Sequence, residues 1–176
     1  SSDLFTPVYW ALENDITTGT SNRTFEPDSA CTREQIVVFL WRLMGCPEPE
    51  HTEYNAYFTD VKANKYYVSA VNWAYENNIT TGLNDGTGRF GVGVSCAREM
   101  VVTFLWRTAG CPEPQTISTF TDVANSKKYY YKAVSWALEN GVTTGLNDGT
   151  GRFGVGTYCS RAMIVTFLYR YAHLSD

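Results

Sequence analysis

Apolar residues along the chain fall into two kinds of segment, and the two kinds alternate three times. In the first kind, Ala70, Val71, Ala74 and Tyr75 follow the three- and four-residue spacing of one face of an α-helix. The second kind, such as residues 36–41, is apolar nearly all round, which is typical of a deeply buried helix. The pattern predicts a mainly α-helical protein built from helix–loop–helix units.

Turn and cap residues set the expected bounds of these helices. Thr-Thr-Gly follows each amphipathic helix and marks a turn, and Gly45 and Gly110 stand where two apolar helices need a C-terminal cap. The amphipathic helices are expected at 66–77 and 129–140, with a shorter copy near 7–14, and the apolar helices at 33–44, 98–109 and 161–172.

The helix pairs belong to an internal sequence repeat. Trp10, Trp73 and Trp136 recur 63 residues apart, and residues 80–93 are identical to residues 143–156. The repeats are expected at 1–57, 58–119 and 120–176, the first lacking most of its opening segment. Since a helical pair of about 60 residues is marginally stable alone, we expect one compact domain. Its three apolar helices would form a central three-helix bundle with pseudo-threefold symmetry.

Charge and composition narrow the classes of function. The 14 Lys and Arg residues are outnumbered by 18 Asp and Glu residues, so the basic footprint typical of nucleic-acid binding is missing. No apolar run reaches the length of about 18 residues that a membrane span needs. The two histidines, His51 and His173, are far apart in sequence, which argues against histidine-dependent catalysis and metal binding. The first residues do not resemble a signal peptide, so we expect a removed leader or an excised fragment.

Seven short motifs recur along the repeats in a fixed order. They are Phe-x-Asp-Val, Ala-Val-x-Trp-Ala-x-Glu-Asn, Ile-Thr-Thr-Gly, Asp-Gly-Thr…Phe, (Thr/Ala/Ser)-Arg, Phe-Leu-Trp-Arg and Gly-Cys-Pro-Glu-Pro. In this order the chain resembles the S-layer homology (SLH) domain of bacterial surface proteins, in which three tandem copies are usual. The resemblance implies a three-pronged, mainly α-helical spindle. It also implies non-covalent anchoring to the cell wall through secondary cell wall polysaccharide, often pyruvylated, in grooves between adjacent repeats.

The resemblance also implies which residues bind the ligand. They are the arginine that starts each apolar helix and the glycine that ends each Thr-Thr-Gly: Arg33, Arg98 and Arg161, and Gly19, Gly82 and Gly145. A cation in the first helical turn faces the positive end of the helix dipole, at a cost of a few tenths of a kcal/mol. Helix N–H groups and a guanidinium together would cradle the carboxylate of a ketal-linked pyruvate. The alternative is that Asp60 or Asp122 supplies the anion internally.

The helix starts depart from the family motif Thr-Arg-Ala-Glu. In residues 32–35, Thr32 and Gln35 can still form a capping box. Residues 160–163 keep only the N-cap, Ser160, and residues 97–100 have neither an N-cap hydroxyl nor a Glu or Gln three residues later. Because a lost cap costs about 1 kcal/mol, we expect altered helix ends in the second and third repeats.

Aromatic side chains are the other candidates for sugar contacts. The three tryptophans stand at apolar helical positions, so we expect them in the core. Tyr66 and Tyr129 precede the amphipathic helices and are better groove candidates, because a tyrosine offers a flat face and a hydroxyl group.

Three other patterns are interpreted as structural. Residues 84–88 and 147–151 resemble calcium loops but lack the twelfth-position Glu, so they predict turns; no metal or cofactor is expected. Five cysteines cannot all pair within one chain. Cys31 and Cys46, like Cys96 and Cys111, flank opposite ends of one predicted helix, so they are expected about 20 Å apart, whereas a disulfide needs Cα atoms within roughly 7 Å. We therefore expect mostly reduced, partly buried thiols, with three of them gathered at one end of the bundle: Cys31, Cys96 and Cys159. The repeated acids Glu13, Glu76 and Glu139 resemble solvated or capping groups and no catalytic pair.

The sequence thus favours a non-catalytic, extracellular wall-anchoring module at the bacterial surface or in a secreted protein. We expect it to be monomeric, to bind secondary cell wall polysaccharide and to have no nucleic-acid partner. The alternative is a secreted adhesion or interaction module that uses the same spindle for a protein or a host glycan, suggested by the altered Thr-Arg-Ala-Glu motifs.

Overall fold

A computed structural model describes residues 5–21, 24–52, 54 and 56–174. These residues form six α-helices and no strand, only isolated β-bridges, so the predicted mainly helical fold is confirmed. The helices are α1 (Phe5–Glu13), α2 (Arg33–Leu43), α3 (Val68–Glu76), α4 (Arg98–Thr108), α5 (Tyr131–Glu139) and α6 (Arg161–Ala172). Helix α1 begins before the predicted residue 7, because Pro7 lies in the first turn, where a missing N–H group is tolerated.

Each amphipathic helix packs against the apolar helix that precedes it in a cycle of repeats. Helix α3 packs on α2, α5 on α4, and α1 on α6, while α2, α4 and α6 contact one another. In the first two pairs, the Cys-Pro-Glu-Pro linker is hydrogen-bonded to the apolar helix that precedes it. The Trp41 indole N–H donates to the Pro47 carbonyl and the Trp106 indole N–H to the Pro112 carbonyl, both at 2.8 Å. The α1–α6 contact brings the first repeat against the third.

The predicted gathering of three cysteines at one end of the apolar helices is confirmed. The Cys96 N–H donates to the Cys31 carbonyl and the Cys159 N–H to the Cys96 carbonyl, both at 2.9 Å. The Cys31 N–H donates to the Cys159 carbonyl at 3.1 Å and closes the ring. All five cysteines are free thiols; these three are buried, whereas Cys46 and Cys111 are exposed.

The starts of the apolar helices differ in side chain but not in backbone. Gln35 Oε1 accepts a hydrogen bond from the Thr32 N–H at 3.1 Å, Ser160 Oγ accepts one from Met163 at 3.4 Å, and Ala97 offers no side-chain cap. All three cap residues nevertheless have extended backbone, with φ between −85° and −77°. The expectation of altered helix ends is wrong, because isolated β-bridges between repeats hold the cap residues in place.

The tryptophans behave largely as predicted. Trp73 and Trp136 are buried in the core, and Trp10 is partly buried and packs edge-on against Tyr169. Within the part of the chain that the structure describes, no helix has the length and apolar character needed to cross a membrane.

Candidate functional site

The arginine that begins each apolar helix is buried between two phenylalanine rings. Arg33, Arg98 and Arg161 are only 4%, 5% and 5% exposed. The Arg33 guanidinium carbon lies 5.0 Å from the centre of the Phe90 ring and 5.2 Å from that of Phe104. The other two arginines have the same arrangement, Arg98 with Phe153 and Phe167, and Arg161 with Phe25 and Phe39. One ring of each pair stands on a loop of the neighbouring repeat.

The same loops fix the guanidinium by a hydrogen bond. Arg33 Nε donates to the Phe90 carbonyl at 3.0 Å. Arg98 Nε donates to Phe153 and Arg161 Nε to Phe25, both at 2.8 Å. Each arginine is therefore a contact between repeats as well as a candidate binding residue.

No carboxylate neutralises these three arginines at ion-pair distance within the described residues. Asp60 and Asp122 lie 3.7 Å from Arg89 and Arg152 instead. Asp60 and Asp122 thus form no ion pair with Arg33 and Arg98, although the charge of each aspartate still favours the ionised form of the arginine near it. Burial lowers the pKa of both arginines below the ordinary value, which reflects the cost of placing a cation away from water.

Asp60 and Asp122 have a different task. The Asp60 carboxylate accepts hydrogen bonds from the backbone N–H groups of Phe90, Gly91 and Val92 at 2.7 to 2.8 Å. Burial tends to raise the Asp60 pKa, but these three donors favour the ionised form, and the pKa is lowered overall. Asp122 does the same for residues 153–155. Each aspartate thus holds the loop whose phenylalanine supports the buried arginine.

The expected cradle of helix N–H groups is only partly available. The backbone N–H of Arg33 donates to Val94, that of Arg98 to Thr157 and that of Arg161 to Ser29, each at 2.9 Å. The first N–H group of each apolar helix is thus used in a contact between repeats and is not available to a ligand.

The predicted glycines have a steric reason to be glycine. Gly82 has φ of +80°, and a Cβ atom there would lie 2.5 Å from the Arg89 carbonyl oxygen and 2.8 Å from the Phe58 ring. Gly145 is equally crowded, by Arg152 and Phe120, and Gly19 by Thr24. A side chain would therefore distort the loop.

One cavity brings together predicted residues from all three repeats. Arg33 of the first repeat, Gly82 of the second and Tyr129 of the third line a cavity of about 300 Å³. Met100 and Arg107 also line this cavity, and Arg33 Nη1 lies 3.4 Å from the Met100 sulfur. Tyr129 is 53% exposed, as a stacking surface requires. This volume is at the lower end of the range for ligand sites.

A second cavity repeats the arrangement. Arg161, Gly19 and Tyr66 line a cavity of about 280 Å³, together with Gln35 and Arg42. Arg161 Nη2 donates to the Thr17 hydroxyl at 3.1 Å, and Tyr66 is 62% exposed. The family resemblance implies Arg161 and Gly19 as binding residues, and the position of Tyr66 before its helix made it a candidate.

The remaining arginine and glycine also meet. Arg98 Nη2 donates to the Gly145 carbonyl at 3.3 Å. When the repeats are aligned on their tryptophans, the position of Tyr66 and Tyr129 falls on Asp3, which lies outside the described residues. This site therefore differs in sequence from the other two.

Each cavity contains a second arginine that sequence reasoning missed. Arg107 and Arg42 line the two cavities, and each holds a loop carbonyl, Arg107 that of Ile79 at 3.0 Å and Arg42 that of Ile16 at 3.3 Å. Both residues end the repeated Phe-Leu-Trp-Arg motif, and this recurrence is the sequence signal that could have identified them. Each cavity thus carries two cationic side chains.

The predicted calcium-loop-like segments form turns. Asp85 Oδ1 accepts from the Thr87 N–H at 3.0 Å and so closes a local turn, as predicted. The described residues contain no cluster of three or more His, Cys, Asp or Glu side chains that could hold a metal.

The comparisons with known proteins agree with these repeats. The family model of the S-layer homology domain matches residues 1–37, 57–91 and 119–162. The chain belongs to the S-layer homology family. S-layer homology domains are cell-surface anchoring modules that bind cell wall polymers. A cell surface protein of Thermoanaerobacter kivui is 27% identical over 154 residues, which are 86% of this chain and 19% of that relative. The S-layer homology chain described here thus spans about a fifth of that relative's length.

Proposed function

We propose that this chain is a non-catalytic, monomeric wall-anchoring module that binds anionic, pyruvylated secondary cell wall polysaccharide in the grooves between its repeats. The observation that carries the proposal is the set of buried arginines without a carboxylate partner among the described residues. A buried cation without a counter-charge is costly, and a bound carboxylate removes that cost.

The chemistry of the Arg33 cavity suits a ketal-linked pyruvate. Arg33 Nη2 has no acceptor among the described residues, so it can donate to a ligand carboxylate while Nε stays on Phe90. Arg107 adds a second positive charge, and the exposed ring of Tyr129 offers a face to the sugar. The Arg161 cavity offers the corresponding groups in Arg42 and Tyr66.

We also propose the three-pronged spindle as the overall shape and the three repeats as one domain. The cyclic contacts α3 on α2, α5 on α4 and α1 on α6 support this arrangement. The surface location and the absence of enzymatic activity follow from the same proposal.

The adhesion alternative rested on the altered Thr-Arg-Ala-Glu motifs. Since the cap residues have the same backbone in all three repeats, that difference gives no reason to expect a different ligand. We therefore favour wall anchoring.

Co-sedimentation with purified cell walls tests the proposal. The protein should sediment with intact walls and stay in solution with walls stripped of their secondary polymer. The double variant Arg33→Gln/Arg161→Gln should lose most retention, whereas Lys132→Gln, which removes an exposed cation paired with Glu113, should keep it. Equal retention on intact and stripped walls would contradict the proposal.

A further inference from the structure

A pair of stacked tyrosines lies beside the Arg33 cavity. The rings of Tyr57 and Tyr75 are 4.2 Å apart with an angle of 28° between their planes. They line a second depression of about 380 Å³ with Glu50, Glu76 and Asn78. Thr80 and Thr81 line both this depression and the Arg33 cavity, so the two adjoin.

The stacked pair lies where the first repeat meets the second, and its two tyrosines are not repeated at the corresponding positions elsewhere in the chain. The corresponding residues in the other repeats are Leu12 and Leu138 in place of Tyr75, and Thr119 in place of Tyr57. The linker before Phe58 is also three residues longer than the one before Phe120. The chain therefore provides its own leucine-bearing versions of this surface.

Neighbouring groups hold the pair in place. The Tyr57 hydroxyl donates to Glu76 Oε1 at 3.0 Å, and the backbone N–H of Glu50 donates to Glu76 Oε2 at 2.9 Å. The Phe58 ring meets Tyr75 edge-on at 5.3 Å. A surface of this kind loses little conformational freedom when a ligand binds.

The Arg33 cavity and the adjoining depression carry opposite charge. Arg33 and Arg107 line the cavity, and Glu50 and Glu76 line the depression. Carboxylates repel an anionic sugar but accept hydrogen bonds from sugar hydroxyls, while the tyrosine rings offer an apolar face to the C–H groups of a pyranose.

We propose that Tyr57 and Tyr75 form a second sugar subsite, which takes a neutral, hydroxyl-rich residue of the polysaccharide next to the anionic sugar held at Arg33. This inference rests on the proposed function of the Arg33 cavity. It assigns the bound polysaccharide a direction, with the pyruvylated sugar at the arginines and the neutral chain passing over the exposed Thr81 to the tyrosines. The depression then recognises chain length, while the cavity recognises charge.

Isothermal titration with defined oligosaccharides tests this subsite. The probes are the methyl glycoside of a pyruvylated hexose and the same sugar extended by one and by two neutral hexoses. The protein carries Arg98→Gln and Arg161→Gln, so that binding reports on the Arg33 cavity alone, and a retained circular dichroism spectrum shows that this background is folded. The extended probes should bind about 3- to 10-fold more tightly than the single sugar.

The decisive variant is Tyr75→Leu, which copies the residue of the other two repeats. It should abolish the gain from chain extension and leave the affinity for the single pyruvylated sugar unchanged. The matched control Tyr9→Leu removes another exposed tyrosine, from α1, and should change neither affinity. If the extended probes bind no better than the single sugar, or if Tyr75→Leu keeps the gain, the subsite is overturned while the proposed function stands. If no pyruvylated probe binds either to this background or to the unmodified protein, both are overturned.

Discussion

Arg33 Nε in the first repeat donates to the Phe90 carbonyl in the second at 3.0 Å, and the Phe90 ring lies 5.0 Å from the same guanidinium. The guanidinium that is the candidate ligand-binding group therefore also forms a contact between repeats. The same contact recurs between Arg98 and Phe153 and between Arg161 and Phe25. Ligand binding at these arginines should consequently stabilise the folded chain as well as anchor it.

That coupling predicts a ligand-dependent thermal shift. A ligand that binds only the folded state adds about 2.7 kcal/mol of stability at one hundred times its dissociation constant. Pyruvylated oligosaccharide should therefore raise the Tm of the unmodified protein in differential scanning fluorimetry. The variant Arg33→Gln/Arg161→Gln should lose most of this shift, whereas Lys132→Gln should keep it. An undiminished shift in the double arginine variant would refute the role assigned to these residues.

Substitution of Gly82 by Ala should destabilise the protein through crowding. The new Cβ would lie 2.5 Å from the Arg89 carbonyl at a φ of +80°, and we expect a loss of about 2 to 4 kcal/mol. Gly86→Ala is a matched control, because Gly86 has φ of +82° but open space around the Cβ position, and should cost about 1 kcal/mol. Urea denaturation measures both. Equal losses would mean that the contact with Arg89 is unimportant.

Asp60→Asn should weaken the loop that supports Arg33. The carboxylate accepts three backbone N–H bonds, and hydrogen bonds to a charged group contribute about 1.5 to 3 kcal/mol each, so we expect a loss of at least about 2 kcal/mol. Asp85→Asn, in an exposed local turn, should cost clearly less. Comparable unfolding midpoints for the two variants would contradict this assignment.

The lowered pKa values of Asp60 and Asp122 predict acid sensitivity of a defined sign. Because the folded state holds both carboxylates ionised more strongly than the unfolded chain does, their contribution is complete above the unfolded pKa of about 4. It declines as the pH falls through the lower folded values. Urea unfolding should therefore give a stability that drops steeply below about pH 4. The Asp60→Asn/Asp122→Asn variant should have a shallower drop; an unchanged slope would assign the acid sensitivity to other groups.

Reactivity should divide the five thiols into two groups. Burial raises the pKa of Cys31 to about 11 and that of Cys159 to about 12, and it also raises the pKa of Cys96. Cys46 and Cys111 are exposed. Because the thiolate is the reactive form, a thiol reagent should modify two cysteines in the native protein and five in denaturant. Rapid modification of a third cysteine under native conditions would show that the ring of buried cysteines opens.

The helices and the cysteine cluster could be predicted from the sequence because each feature recurs two or three times along the chain. The first arginine and the glycine of each cavity followed from the family resemblance, whereas Arg42 and Arg107 were not predicted. Tyr66 and Tyr129 stood out by their position before the amphipathic helices. The partners of Asp60 could not be predicted. Its carboxylate accepts hydrogen bonds from Phe90, Gly91 and Val92, about 30 residues further along the chain, and only the folded structure brings that loop to it. The same is true of the Arg33–Phe90 contact, which joins residues far apart in sequence.

The altered helix starts show where local rules mislead. The missing side-chain cap at Ala97 predicted a disturbed helix end, but the bridge between Ala97 and Tyr158 keeps the backbone extended. Tertiary contacts between repeats thus override a local capping preference. Tyr75 shows a second limit: its spacing assigned it to the apolar face of its helix, but its side chain is 39% exposed and stacks on Tyr57. Neither tyrosine recurs in the other repeats, so the repeated motifs do not contain this pair.

The most direct test of wall anchoring through the buried arginines compares two forms of one ligand. Isothermal titration should be performed with a pyruvylated secondary wall oligosaccharide and with the same oligosaccharide after its pyruvate ketal has been removed. We predict clear binding of the pyruvylated form and a loss of affinity of at least about tenfold without pyruvate, since a charge-assisted bond to arginine contributes about 1.5 to 3 kcal/mol. Equal affinity for the two forms would contradict the account.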